Sequence, residues 1–172
     1  IIRPNISFQE TESATDVTTF FIFFTSKNLN NSIASTDRNN SGYNASLEAT
    51  FRHRFKKKGR TYSIAFNPGK SVNDGTTSNY SINNFFNTTT PYADTINQVG
   101  ITNRDSKTMN ATFSFTEPIG KNQIIEFNYN YNSNVNNSGT QTFSYNKANG
   151  QYDIAVPNLT NVFENTFNSN RV

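Results

Sequence analysis

The sequence predicts an all-β protein, part of an antiparallel up-and-down transmembrane β-barrel. Short stretches alternate aromatic or aliphatic residues with polar ones, as strands with two different faces do. Tight turns and long connections rich in Asn, Ser and Thr alternate between these stretches. Short turns at one end of the strands and long loops at the other are typical of outer-membrane barrels.

The first predicted hairpin turns at a basic segment. From Ala45 to Phe55 the odd positions carry aliphatic or aromatic side chains and the even positions carry polar ones. After the turn at residues 56–60 the alternation resumes over residues 61–67. Gly59 supplies the backbone freedom that a tight hairpin needs.

The second predicted hairpin repeats this design. Residues 109–116 alternate Met, Ala and Phe with Asn, Thr and Ser, and residues 125–132 alternate Ile, Phe and Tyr with Glu and Asn. The turn between them runs from Glu117 to Lys121. Each hairpin therefore has one apolar face and one polar face.

The polar faces of the two hairpins suit a water-filled lumen. A half-buried antiparallel sheet in a soluble protein alternates in a similar way, but here the polar positions include charged side chains beside Asn and Thr. The predicted lumen-facing residues are Glu48, Arg52, Arg54, Glu126, Asn128 and Asn130.

Composition favours lipid contact over a soluble core. Hydrophobic residues make up 33% of the chain, yet there are 16 Phe and 8 Tyr. Aromatic residues at alternating positions fit the lipid-facing belts of a barrel. No run approaches the roughly 20 apolar residues of a membrane helix, and a mean hydropathy of −0.69 does not exclude barrels, whose strands expose only alternate residues to lipid.

The remaining elements are predicted from the same signals. A strand over Ile2 to Gln9 leads into a long connection from Glu10 to Ser41, which includes an extra strand at Thr18 to Thr25. Two more long connections are expected from Asn73 to Ser106 and from Val135 to Asn161. The second of these contains a small hairpin signal, with Thr142 to Tyr145 and Tyr152 to Ile154 on either side of a turn at Asn149-Gly150. A last strand begins at Val162 to Phe167.

These elements amount to about six spanning strands, whereas closed barrels of this class start at about eight. An open sheet edge in lipid leaves backbone groups unpaired, which is costly. We therefore expect residues 1–172 to be an internal piece of one barrel domain, with the other strands elsewhere in a longer protein.

The sequence contains few residues of the kinds that catalysis or cofactor binding requires. Cysteine is absent and there is one histidine, His53, so thiolate sites, histidine zinc sites and a serine triad are not expected. Glu48 and Glu126 are assigned to different strands, and an acid pair for glycoside hydrolysis is not expected either. The net charge of +3 comes partly from the basic turn, which is interpreted as a solvated hairpin tip and not as a nucleic-acid site. The chain is predicted to be no enzyme and to hold no metal or cofactor.

Aromatic residues within the predicted loops are the candidate ligand contacts. Aromatic rings among polar side chains can stack on a sugar or grip a peptide or siderophore, and they can equally pack loops against one another. This set comprises Tyr80, Phe85, Phe86, Tyr92, Phe143, Tyr145 and Tyr152.

Four segments together resemble the outer-membrane β-barrel family related to TonB-dependent receptors, common in Bacteroidetes. They are Phe51 to Ser63, Ser81 to Asn87, Phe115 to Lys121 and Leu159 to Thr166. The resemblance implies a large barrel of around 22 strands with a plugged lumen, in the outer membrane of a Gram-negative bacterium. It implies import of an unidentified solute (glycan, peptide or siderophore), with the TonB complex as a partner through a plug domain that this chain does not show.

Two alternatives to import by a receptor of this kind stay open. One is a soluble, secreted all-β binding or adhesion module, a sandwich whose apolar faces pack on each other. The other is a structural outer-membrane barrel that transports nothing.

Overall fold

The computed structural model describes residues 1–22, 28–86, 89–120 and 122–172. Within these ranges nearly every residue belongs to a β-strand. The strands are β1 (Ile2–Ile22), β2 (Asn28–Arg54), β3 (Thr61–Phe85), β4 (Tyr92–Pro118), β5 (Ile124–Asn146), β6 (Gln151–Ala155) and β7 (Asn161–Arg171), with one 3-10 turn at Pro157–Leu159.

The strands form one antiparallel sheet in chain order, from β1 through β6, and β7 also pairs with β5. β6 lies beside residues 143–146 of β5, and β7 lies beside residues 130–140. The two short strands thus follow one another along the same edge of β5, separated by the 3-10 turn. The sheet is up-and-down, as predicted, and among the described residues it does not close.

The long connections predicted from the sequence are largely strands, and that part of the prediction is wrong. β1 continues to Ile22 and β2 begins at Asn28; β3 continues to Phe85 and β4 begins at Tyr92; β5 continues to Asn146. The predicted strand at 18–25 is the end of β1 as far as Ile22, and its last three residues lie outside the described ranges. Polar residues predominate on both faces in these stretches, so the stretches lack the regular apolar alternation by which a strand is identified in a sequence. The small hairpin expected within the third connection is confirmed, because the end of β5 pairs with β6 around a turn in which Gly150 has a φ of 75°.

The two short turns form where the sequence placed them. At the first, the Phe55 amide donates to the Arg60 carbonyl at 3.1 Å, and Gly59 has a φ of 88°. At the second, the Ile119 amide donates to the Gln123 carbonyl at 3.1 Å; Lys121 lies outside the described residues. Both turns lie at the same end of the sheet, because β3 and β4 pair along their whole length.

The described residues contain no buried hydrophobic side chain. Their one buried residue is Thr142, 8% exposed, whose hydroxyl donates to the Leu159 carbonyl at 3.0 Å. A single sheet layer has no opposing layer to bury its apolar face. The packed sandwich that the soluble alternative requires is therefore not formed by the part of the chain described.

Candidate functional site: a sheet with one apolar and one polar face

Apolar side chains from five strands collect on one face of the sheet, near the short turns. Side chains alternate between faces along a strand, and the register places the apolar positions of neighbouring strands directly opposite one another. This apolar band comprises Ile2, Pro4, Ile6 and Phe8 of β1; Tyr43, Ala45, Leu47, Ala49, Phe51 and His53 of β2; Tyr62, Ile64, Phe66 and Pro68 of β3; Met109, Ala111, Phe113 and Phe115 of β4; and Ile125, Phe127, Tyr129 and Tyr131 of β5.

Much of the apolar band is open to its surroundings. Phe8 is 82% exposed, Phe51 56% and Ile125 55%. Soluble monomers rarely expose a contiguous apolar patch larger than a few hundred Å². An apolar surface that crosses five strands without a covering layer indicates a face that meets lipid or another apolar surface.

The edge of the apolar band that is remote from the turns runs obliquely across the strands. On this face the first polar residues beyond the band are Glu10 in β1 and Ser41 in β2, which are partners. Ser41 pairs with Asp74 of β3. The first polar residue beyond the band on β3 is Lys70, which lies four residues nearer the short turns than Asp74. Lys70 pairs with Lys107, the first polar residue of β4.

The same displacement continues into the last strands. Lys107 pairs with Val135. The first polar residue beyond the band on β5 is Ser133, which lies two residues nearer the short turns than Val135. From β1 to β5 the edge therefore moves by about six residues over four strand intervals. With roughly 3.3 Å per residue and about 4.8 Å between strands, this slope is roughly 45°.

β7 follows the same oblique trend. Its side chains on the face of the apolar band are Val162, Glu164, Thr166, Asn168 and Asn170. Most of them are polar, and the Tyr129 hydroxyl donates to the Asn170 side chain at 2.7 Å. Described β7 thus lies beyond the edge of the band, where the slope places it.

The opposite face of the sheet carries all six residues that were predicted to face a lumen. Arg52 and Arg54 of β2 lie opposite Ser63 and Thr61. Glu48 lies opposite Arg3, and the two form an ion pair at 3.5 Å.

The three predicted lumen residues of β5 lie on this polar face as well. Glu126, Asn128 and Asn130 lie opposite Thr116, Ser114 and Thr112 of β4. The Asn128 amide donates to Glu126 at 3.0 Å, and the Asn130 amide donates to the Thr112 hydroxyl at 2.9 Å. Glu48 and Glu126 are on β2 and β5, with β3 and β4 between them, so the structure does not bring them together.

Hydroxyl and amide side chains continue the polar face far beyond the band. Ser106 donates to Asn136 at 2.6 Å, the hydroxyls of Thr102 and Thr140 are 3.2 Å apart, and Thr36 donates to Asn79 at 3.2 Å. The sequence did not predict this extension of the polar face, because these residues were assigned to loops. β7 adds Phe163 and Phe167 to this face, and they are 52% and 58% exposed.

The predicted aromatic ligand contacts lie mostly on strands, and the structure does not gather them into one site. Phe85 and Tyr92 stack at 4.8 Å between ring centroids, at the tip of the hairpin of β3 and β4. The rings of Tyr145 and Tyr152 meet edge to face, with 5.4 Å between their centroids, on the face that carries the apolar band. Tyr80 and Phe143 lie on that same face, and Phe86 follows the end of β3.

An ion cluster that the sequence did not reveal joins the two short turns. The Arg60 guanidinium donates to the Glu117 carboxylate at 2.6 and 2.8 Å, and Lys57 donates to it at 2.6 Å. These bonds, the bidentate Arg60 pair foremost, lower the pKa of Glu117 to about 2. The spacing in sequence gives no signal for this pair, because only the register of β3 against β4 brings the turns together.

His53 lies among aromatic rings at the same end of the band. Its ring contacts Phe55 edge to face at 4.8 Å and lies 5.4 Å from Tyr62. In the described part of the chain no three His, Cys, Asp or Glu side chains are placed to hold a metal ion. Nor do the described residues include a helix long and apolar enough to cross a membrane.

Comparisons with protein-family models, with curated proteins and with solved structures find no match for this chain.

Proposed function

We propose that this chain is a segment of an outer-membrane β-barrel resembling TonB-dependent receptors, which binds a solute at the cell exterior and imports it. The oblique apolar band carries the proposal. Strands of outer-membrane barrels tilt by about 35–45°, so a lipid layer must cut obliquely across such a sheet. The slope of roughly 45° derived from the register agrees with that tilt.

The absence of an apolar core among the described residues supports the same proposal. A sheet of this length in water would leave its apolar band solvated, at a cost of about 25 cal/mol for each Å². Lipid removes that cost. Further strands, from the same chain or beyond it, then cover the backbone edges of β1 and β7, since lipid does not hydrogen-bond them.

The polar face supports passage of a hydrophilic solute. Its side chains are mainly hydroxyls and amides, with a small number of charges such as Arg52, Arg54 and Glu126. In the proposed orientation the short turns face the periplasm and the long hairpins project to the exterior. A solute captured by these hairpins would move along the polar face of the sheet.

Membrane insertion is tested with spin labels. The chain has no cysteine, so single Cys substitutions at Thr112, Phe113 and Ser114 label neighbouring positions of β4 without competing thiols. In the complete gene product in lipid vesicles, we expect a label at 113 to be relaxed by dissolved oxygen and labels at 112 and 114 by a water-soluble nickel complex. Equal access to the nickel complex at all three positions would refute the lipid-facing assignment.

Import is tested by growth of the source bacterium. Cells that lack the gene are compared with cells carrying E48Q/R52Q/R54Q, on single nutrients from a panel of oligosaccharides, oligopeptides and ferric siderophores. We expect the deletion strain not to grow on one nutrient class, and cells carrying the triple variant to take up that nutrient more slowly than wild type. The control K58Q changes an exposed lysine in the short turn between β2 and β3, which faces the periplasm in the proposed orientation, and it should behave as wild type. Normal growth of the deletion strain on every nutrient would leave a structural barrel as the better account.

A further inference from the structure

Two lysines face each other immediately beyond the apolar band. Lys70 of β3 and Lys107 of β4 are direct partners in the register. In each strand the last band residue before the lysine is apolar, Pro68 in β3 and Met109 in β4. Like charges directly opposite each other on one face of a sheet are destabilising. An anion bound between them would relieve this repulsion.

The protein neutralises this pair only in part. The Lys70 ammonium is 3.4 Å from an Asp105 carboxylate oxygen, and Tyr43 lies diagonally opposite Lys70 on β2, on the same face of the sheet. Lys107 forms no ion pair with any described residue. The Lys70 side chain is 44% exposed, and Lys107 is exposed as well. The Asp105 carboxylate thus balances the charge of Lys70, and the positive charge of Lys107 is left without an ion-pair partner among the described residues.

The position of the pair selects the kind of anion. Lysine side chains at the edge of a lipid-facing surface extend their charged ends toward the headgroup layer. A lysine near an anionic lipid surface is attracted to it. The acyl chains of such a lipid would lie on the band, against Pro68 and Met109. A free phosphate ion would gain nothing from that apolar neighbourhood.

We propose that Lys70 and Lys107, together with the Tyr43 hydroxyl, bind the phosphate of a phosphorylated lipid headgroup in the exterior leaflet. This inference rests on the proposed membrane location. The two ammonium groups approach the phosphate oxygens from adjacent strands, and Asp105 holds Lys70 in place beside them.

The test measures retention of lipid A by the complete gene product in detergent, by native mass spectrometry. Wild type, K70Q/K107Q and the control K147Q are titrated with bisphosphorylated lipid A and with its dephosphorylated form. We expect wild type and K147Q to bind the phosphorylated lipid equally, K70Q/K107Q to bind it at least tenfold more weakly, and dephosphorylated lipid A to be retained poorly by all three. Unchanged binding by K70Q/K107Q, or an equal loss in K147Q, would overturn the site. Displacement of the lipid by millimolar inorganic phosphate would assign the site to free phosphate instead.

Thermal unfolding adds a measurement that a merely structural role of the lysines would not move. In a zwitterionic detergent free of anionic lipid, K107Q should unfold at the same temperature as wild type or higher, because the substitution removes like-charge repulsion. With lipid A present, wild type should become the more stable of the two. A K107Q protein that is less stable under both conditions would contradict the inference.

Failure of this inference and failure of the proposed function are distinguishable. If the spin labels show that β4 does not face lipid, the proposed function and the lipid site fall together. If the labels alternate as expected and K70Q/K107Q still binds lipid A as wild type does, only the lipid site falls.

Discussion

The guanidinium of Arg60, in the turn between β2 and β3, donates two hydrogen bonds to the carboxylate of Glu117 at the end of β4, at 2.6 and 2.8 Å. Bidentate pairs of this kind are among the stronger polar contacts in proteins. Lys57 adds a third bond to the same carboxylate. The contact ties the two short turns together, so the hairpins cannot slide past each other without breaking it.

The pH dependence of unfolding should report this pair. Because the folded-state pKa of Glu117 is about 2, below its ordinary value, its stabilising effect is fully present above about pH 4.5 and is lost as the pH falls toward 2. Wild type should therefore lose more stability than Glu117→Gln over this interval, as measured by urea midpoints in detergent. Glu164→Gln is the control, because Glu164 forms no ion pair with the described residues. Identical pH profiles of wild type and Glu117→Gln would show that the pair contributes nothing.

Gly59 should not tolerate a side chain. Its φ of 88° lies in the left-handed region, which costs a non-glycine residue about 1–2 kcal/mol. Gly59→Ala should lower the free energy of unfolding by about that amount, and Gly59→Asn by less, because Asn adopts this region more readily. Gly139→Ala is the matched control, since an added Cβ there meets only Val162 at 4.0 Å. Equal stability of Gly59→Ala and Gly59→Asn would contradict the strain argument.

A charge on the apolar band should be far more costly than a charge on the polar face. Phe113 lies within the band, and Thr112 is its neighbour on the other face. A lysine at the lipid midplane of a barrel costs about 2–4 kcal/mol, so Phe113→Lys should lower the urea midpoint in lipid vesicles strongly and Thr112→Lys only slightly. The reverse ranking would mean that the assignment of the two faces is inverted.

The stacked rings of Phe85 and Tyr92 should hold the tip of the hairpin of β3 and β4 closed. Aromatic pairs contribute about 0.5–1.5 kcal/mol beyond their buried area. In Tyr92→Ala we expect faster hydrogen exchange at the last residues of β3, with little change at the short-turn end of the same strands. Tyr80→Ala, a ring without a stacked partner among the described residues, is the control. If Tyr92→Ala leaves the rate of hydrogen exchange at the tip unchanged, backbone pairing alone holds the tip of the hairpin closed.

Local chemistry made the short turns and the two faces of the strands predictable. The alternation in residues 45–55 and 109–116 is visible because apolar and polar side chains follow each other with the period of a strand. That period alone assigned Glu48, Arg52 and Arg54 to one face, and the register agrees with the assignment.

The lengths of the strands were not predictable in the same way. Residues 73–106 are rich in Asn, Ser and Thr, and Asn is depleted in strands of average proteins. In the structure these residues pair without interruption, from Asn73 with Arg104 to Phe85 with Tyr92, since backbone donors and acceptors are present at every residue except proline. Backbone bonds and cross-strand contacts such as Asn103 to Asp74 at 3.0 Å then extend the ladder.

The sequence by itself determined which residues share a face, because alternation is a property of the chain's own geometry. The tertiary structure alone decided the oblique edge of the apolar band, the meeting of Arg60 with Glu117, and the opposition of Lys70 and Lys107. Each of these depends on the register between strands that are far apart in the chain. Register is fixed by how whole strands pair, and no local pattern around any one of these residues contains it.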